Sequence, residues 1–183
     1  FPICGDLPEG YSISGKKYFL KQHGFARDLP WSISLLKDKS GIRLKLIDSG
    51  DSLSYFPFFF TLLMDVCLKK KCLQISIRIY NHSQDYMPFS FGLHPYFQVL
   101  NTKKIKIDGL PEKCIDQTNM KVTNASDQIR ILDKGVDFLS YPSRSVKLFD
   151  CLSRNVIELI NQEPMDSTVI WTDPPRKMVC LEP

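Results

Sequence analysis

The feature that most constrains this chain is a side-chain period of two. Ile42-Arg43-Leu44-Lys45-Leu46 alternates apolar and basic residues, and so do Leu73-Gln74-Ile75-Ser76-Ile77-Arg78-Ile79-Tyr80 and Lys104-Ile105-Lys106-Ile107. Successive side chains of a strand point to opposite faces, so this alternation marks strands with one face in a core and one in water. Residues 55–68 form a nearly continuous apolar run rich in phenylalanine, which reads as a long strand buried on both faces and bent near Pro57. Further strands are expected at 18–21, 31–37, 89–92, 128–132, 145–149, 155–161, 168–171 and 178–181. Turn signals fall between them at Lys39-Ser40-Gly41, Asp48-Ser49-Gly50-Asp51, Asp108-Gly109 and Asp173-Pro174-Pro175. No window gives a helical stripe beyond a turn or two. The expectation is an all-β antiparallel sandwich or barrel, one domain over residues 1–183, without repeat or linker.

Composition excludes several function classes. With 183 residues the chain can bury a substantial core, and 43% hydrophobic with 24% charged residues is ordinary for a globular protein. The net charge of +4 is modest. Its one basic run, Lys69-Lys70-Lys71, reads as a solvated turn between two strands, since no aromatic residues interleave it as a nucleic-acid surface would require. The six cysteines show no C-x-x-C and no histidine at a zinc spacing; Cys67 and Cys72 flank the lysine turn, and the reading is reduced thiols. Asn81-His82-Ser83 and Asn124-Ala125-Ser126 match the glycosylation pattern, which carries weight only on a secretory route. Without a signal peptide or long apolar span the default location is cytoplasmic, with no membrane partner. The chain opens on Phe1 and stops one residue after Glu182, so a fragment of a longer polypeptide is expected.

Chemistry has few places to reside. The chain holds three histidines, and His23 and His94 sit beside glycine, proline and aromatic residues. His94 lies where a strand is expected to end, before Pro95, which restricts it to extended geometry. A packed core imidazole and a functional one are both open at this point. Glu182 closes an apolar strand, where a surface charge is the plain alternative to a base. Asp137 is an acid in an apolar stretch that needs a partner if buried, through ion pairing or sugar hydroxyls. Trp171 is open between a sugar-stacking platform and a core residue. His82 reads as surface. An imidazole that titrates near neutrality plus a carboxylate is the minimum set for adding one proton and removing another in one step.

Three longer motifs are more specific. Lys21-Gln22-His23-Gly24-Phe25-Ala26-Arg27-Asp28-Leu29-Pro30-Trp31, then Met87-Pro88-Phe89-Ser90-Phe91-Gly92-Leu93-His94-Pro95-Tyr96-Phe97, then Val169-Ile170-Trp171-Thr172-Asp173-Pro174-Pro175 through Val179-Cys180-Leu181-Glu182-Pro183 occur in this order. Together they resemble the aldose 1-epimerase (mutarotase) family, particularly the branch related to hexose-6-phosphate mutarotases. The opening Phe1-Pro2-Ile3-Cys4-Gly5 is similar to a pocket-lining loop of that branch.

The resemblance implies an antiparallel β-supersandwich of the galactose mutarotase-like type, lacking some N- and C-terminal strands. It implies an isomerase that interconverts α and β anomers of an aldohexose or hexose 6-phosphate, without cofactor or metal. By position His94 matches the general acid, Glu182 the base, His23 a sugar-orienting histidine, Asp137 an acid on ring hydroxyls, and Arg27 an arginine facing a 6-phosphate. Family members run longer at both ends, so an untethered Glu182 would fray. The alternative is a non-catalytic carbohydrate-binding or sugar-sensing domain. Oligomeric state is not readable from the chain.

Overall fold

A computed structural model describes residues 1–183 apart from Lys39, so that residue of the expected Lys39-Ser40-Gly41 turn lies outside the described residues. The chain folds as two compact units, Phe1–Phe91 and Gly92–Pro183.

In the first unit, β1 (Tyr11–Ile13) and β2 (Lys16–Tyr18) form a ribbon closed by Ser14 and Gly15, both at positive φ. Such a two-residue loop matches the right-handed twist of the strands. The alternating segments become β3 (Ser32–Leu35), β4 (Gly41–Ile47), β5 (Phe60–Lys69) and β6 (Cys72–Asn81), an antiparallel sheet in that order. Lys70-Lys71 is the turn between β5 and β6, as the charge run led one to expect. Leu46, Leu62 and Ile79 stand in one cross-strand row toward a core of Phe1, Phe25, Phe56, Phe58 and Phe60. These rings pack tilted or edge to face, with Phe1 and Phe60 centroids 5.1 Å apart.

The expected strand over 55–68 starts later. Ser49 caps α1 (Gly50–Tyr55) in a reciprocal capping box with Ser52, which turns the chain before Phe56. The strand then runs Phe60–Lys69 and is fully buried only near its start.

The second unit holds β7 (Tyr96–Gln98), β8 (Ile105–Asp108), β9 (Lys113–Asp116), β10 (Lys121–Asn124), α2 (Ala125–Arg130), β11 (Val136–Ser140), β12 (Ser145–Asp150), β13 (Asn155–Ile160), β14 (Thr168–Thr172) and β15 (Met178–Glu182). All sheet pairings are antiparallel, in the orders β10-β9-β11-β14-β15-β7 and β13-β12-β8. Ile105, Ile107, Val146 and Leu148 of the smaller sheet share a core with Phe138, Ile170, Val179 and Leu181 of the larger. Three expectations fail here. Residues 128–132 form the end of α2 and the turn after it; Asn124 stands at the helix start without capping its backbone, and its amide donates to the Asp127 carboxylate in the first turn. Residues 89–92 are irregular, so His94 precedes a strand, β7, instead of ending one. Strands β9, β10 and β11 were not anticipated as strands.

Among the described residues the six cysteines are free thiols, and no helix is long and apolar enough to cross a membrane.

Candidate active site

Strand register builds the site. Asp137 pairs with Trp171, Trp171 with Cys180, and Cys180 with Tyr96, so one cross-strand row spans β11, β14, β15 and β7. Paired residues of antiparallel strands point to the same face. Val179 and Leu181 turn into the core, which sends Met178, Cys180 and Glu182 to the opposite face with that row.

His94 joins them from the segment leading into β7. Pro95 disfavours helical backbone at His94, and the Leu93 N–H donates to the Pro183 carbonyl at 3.1 Å, which keeps this segment beside the end of β15. His94 Nε2 thereby lies 3.1 Å from Glu182 Oε1. The imidazole side chain is 38% exposed and the carboxylate 15%, so a solute can reach the imidazole while the carboxylate is sheltered. Tyr96 stacks on the His94 ring at 4.8 Å, and Trp171 meets it edge-on at 5.5 Å and 83°. Two aromatic walls therefore fix the ring orientation.

Burial pushes the Glu182 carboxyl up to about 7, and the negative charge of Asp137 adds to the effect. The carboxyl thus titrates where an ordinary imidazole does. Asp137 accepts a 2.7 Å hydrogen bond from the Gln117 side-chain amide. Burial, then the Glu182 charge, pushes the Cys180 thiol up to about 12.

His23 and Arg27 occupy one loop of the first unit. His23 has φ +61 and Gly24 φ +70, and the Gly5 N–H donates to His23 Nδ1 at 3.0 Å while the His23 N–H donates to the Gly5 carbonyl at 2.7 Å. Nδ1 is therefore an acceptor, and the ring proton of neutral His23 belongs on Nε2. Arg27 is exposed, and its Nη2 donates to the Gln22 carbonyl at 2.9 Å.

Sequence reading missed Tyr96, Gln117, Cys180 and Arg176. Arg176 closes the Asp173-Pro174-Pro175 turn, pairs with Asp173, and lays its guanidinium over Trp171 at 5.1 Å and Tyr96 at 5.9 Å. Period two could have supplied Tyr96 and Cys180, each two residues from a named candidate. Nothing in the sequence marks Arg176 or Gln117.

The comparisons agree with this architecture. A family model described as aldose 1-epimerase matches residues 6–183. A "Putative glucose-6-phosphate 1-epimerase" of Escherichia coli (strain K12) is 29% identical over 153 residues, which are 82% of this chain and 47% of that protein. One of the same name from Cenchrus ciliaris is 28% identical, matching all of this chain and 62% of its own length. The chain thus spans about half the length of the curated relatives it matches. The Slr1438 protein of Synechocystis sp. PCC 6803 superposes with TM-score 0.92 at 33% identity, covering 100% of this chain and 65% of the other. A galactose mutarotase related enzyme from Lactobacillus acidophilus gives 0.84 at 23% identity, over 100% and 68%, and shares the fold. The fold is the antiparallel, all-β galactose mutarotase-like one, and, matched over nearly its whole length, this chain belongs to the aldose 1-epimerase family.

Proposed function

We propose that the chain carries the acid–base centre of an enzyme that interconverts the α and β anomers of an aldohexose or hexose 6-phosphate. The observation that carries the reading is the 3.1 Å approach of His94 Nε2 to Glu182 Oε1 on a sheet face lined by Trp171 and Asp137. The two oxygens that exchange protons in this reaction, the anomeric O1 and the ring O5, are both bonded to C1. A donor and an acceptor that serve them must stand close together, each within about 3 Å of its oxygen.

The steps balance without any external reagent. The Glu182 carboxylate takes the proton from O1 as the His94 imidazolium gives its own to O5; C1=O forms as the C1–O5 bond breaks. Rotation about C1–C2 turns the other face of the aldehyde toward O5. O5 then attacks C1, His94 recovers the O5 proton, and Glu182 returns its proton to the carbonyl oxygen. A carboxyl titrating near 7 suits both directions, since neither protonation state is far from the working pH. Asp137, one strand beyond Trp171, is assigned to ring hydroxyls. The roles of His23 in holding the sugar and of Arg27 in meeting a 6-phosphate rest on the family resemblance. The relatives' name, glucose-6-phosphate 1-epimerase, supports the phosphorylated substrate.

Polarimetry on freshly dissolved α-glucose and α-glucose 6-phosphate tests the reading with this chain. Acceleration of anomer exchange over buffer, larger for the phosphorylated sugar, is the expected result. Saturable sugar binding without acceleration would instead support a carbohydrate-binding module.

A further inference from the structure

We infer that His94, Cys180 and Glu182 together form a binding site for a thiophilic divalent cation, Zn²⁺ above all, and that its occupancy blocks the acid–base pair. One imidazole nitrogen, one thiol sulfur and one carboxylate oxygen lie within 4.8 Å of one another here. The His94 and Glu182 atoms, 3.1 Å apart, already approximate one edge of a tetrahedron whose edges run roughly 3.3–3.8 Å for zinc bonds of about 2.0–2.3 Å. The sulfur closes the remaining gap by a shift on the order of 1 Å, giving up a weak 3.8 Å contact to Met178 Sδ.

Charge favours the assembly. Neutral His94, the Glu182 carboxylate and the Cys180 thiolate carry two negative charges, which one divalent ion cancels, and the metal bond must outweigh the burial that pushes the free thiol up to about 12. The thiol loses its proton to solvent when sulfur meets the metal, since a coordinating thiol is deprotonated outright. The mixed nitrogen, sulfur and oxygen set suits zinc and excludes magnesium or calcium, which require oxygen ligands. Tyr96 and Trp171 hold the imidazole for the metal as they hold it for the sugar. With His94 partly exposed, a fourth coordination position faces solvent. Sequence spacing conceals the site, because His94 enters from the segment before β7 and meets Cys180 through strand pairing.

The metal takes the His94 lone pair and the Glu182 carboxylate that proton transfer uses. Binding is therefore independent of the proposed reaction; the inhibition alone rests on it.

The test uses chelator-treated protein and Co²⁺ as an optical probe. One equivalent is expected to give tetrahedral visible bands and a sulfur-to-cobalt charge-transfer band in the near ultraviolet, both displaced by Zn²⁺. Cys180→Ser should lose the charge-transfer band, and Zn²⁺ affinity measured by competition should fall at least roughly 10–100-fold. If Cys180→Ser does not fold by circular dichroism, His94→Ala and Glu182→Gln serve, each with the same expected loss of affinity. No binding at millimolar metal, or an undiminished band in Cys180→Ser, overturns the site. Zn²⁺ binding that leaves anomer exchange unchanged overturns the blocking. Protein that gives the optical signature with Co²⁺ but shows no anomer exchange when metal-free supports the site while counting against the proposed reaction.

Discussion

Asp137 and Glu182 stand on the same face of one sheet with β14 between them, and the charge on Asp137 helps to raise the Glu182 carboxyl to about 7. If Glu182 is the base, activity climbs with pH as its carboxyl ionises. Asp137→Asn removes one of the two causes of the raised value, so the rising limb of kcat/KM should move to lower pH. The shift of the limb is the readout, separate from any loss of rate through weaker sugar binding. An unmoved limb would dissociate Glu182 from the profile.

The same carboxyl links stability to pH. Its folded value, about 7, exceeds its ordinary value of 4.5, so the folded state holds the proton more tightly. Its contribution is present below pH 4.5 and is lost as pH rises through about 7. At 1.36 kcal/mol per pH unit the loss is on the order of 3 kcal/mol by pH 8. Denaturant unfolding at pH 5 and pH 8 should show wild type losing more stability across this range than Glu182→Gln.

Gly24 permits the close approach of the first residues to the His23 loop. A Cβ there would meet the Phe1 carbonyl oxygen at 2.3 Å, and φ is +70. The Phe25 and Ala26 amides both donate to that oxygen, so the clash cannot relax without breaking them. Gly24→Ala should destabilise the protein by about 2 kcal/mol or more, read as a lowered melting temperature. An unchanged melting temperature would contradict this packing.

Arg27 offers an exposed guanidinium, and a charge-assisted contact to phosphate is worth about 1.5–3 kcal/mol. Arg27→Ala should raise KM for hexose 6-phosphate roughly 10–100-fold and leave free hexose nearly unaffected. Equal effects on both sugars would remove the phosphate role.

Most of the strand content was legible because period two survives where alternate apolar side chains pack on a core, as buried Leu46 of β4 and half-buried Ile77 and Ile79 of β6 do. The reading failed where local hydrogen bonds override pattern. The Ser49–Ser52 capping box converts Gly50–Tyr55 into a helix, and the segment containing Gln128 turns helical behind Asn124, whose amide bonds to the Asp127 carboxylate. Within the site, His94 and Glu182 stand out by their local settings and motifs and Asp137 as an acid in an apolar stretch, yet their convergence depends on long-range register that the sequence does not display. Arg176 and Gln117 reach the same face from turns, whose side-chain directions carry no periodic signal.

The central claim is that His94 and Glu182 exchange protons with a single anomeric centre. Two-dimensional exchange NMR on equilibrated glucose 6-phosphate measures the α-to-β rate directly, without a coupled assay. Wild type should accelerate exchange over buffer, and His94→Ala and Glu182→Gln, with unchanged circular dichroism, should each lose roughly 10²–10⁴-fold of that acceleration. Full acceleration in either folded variant would contradict the account.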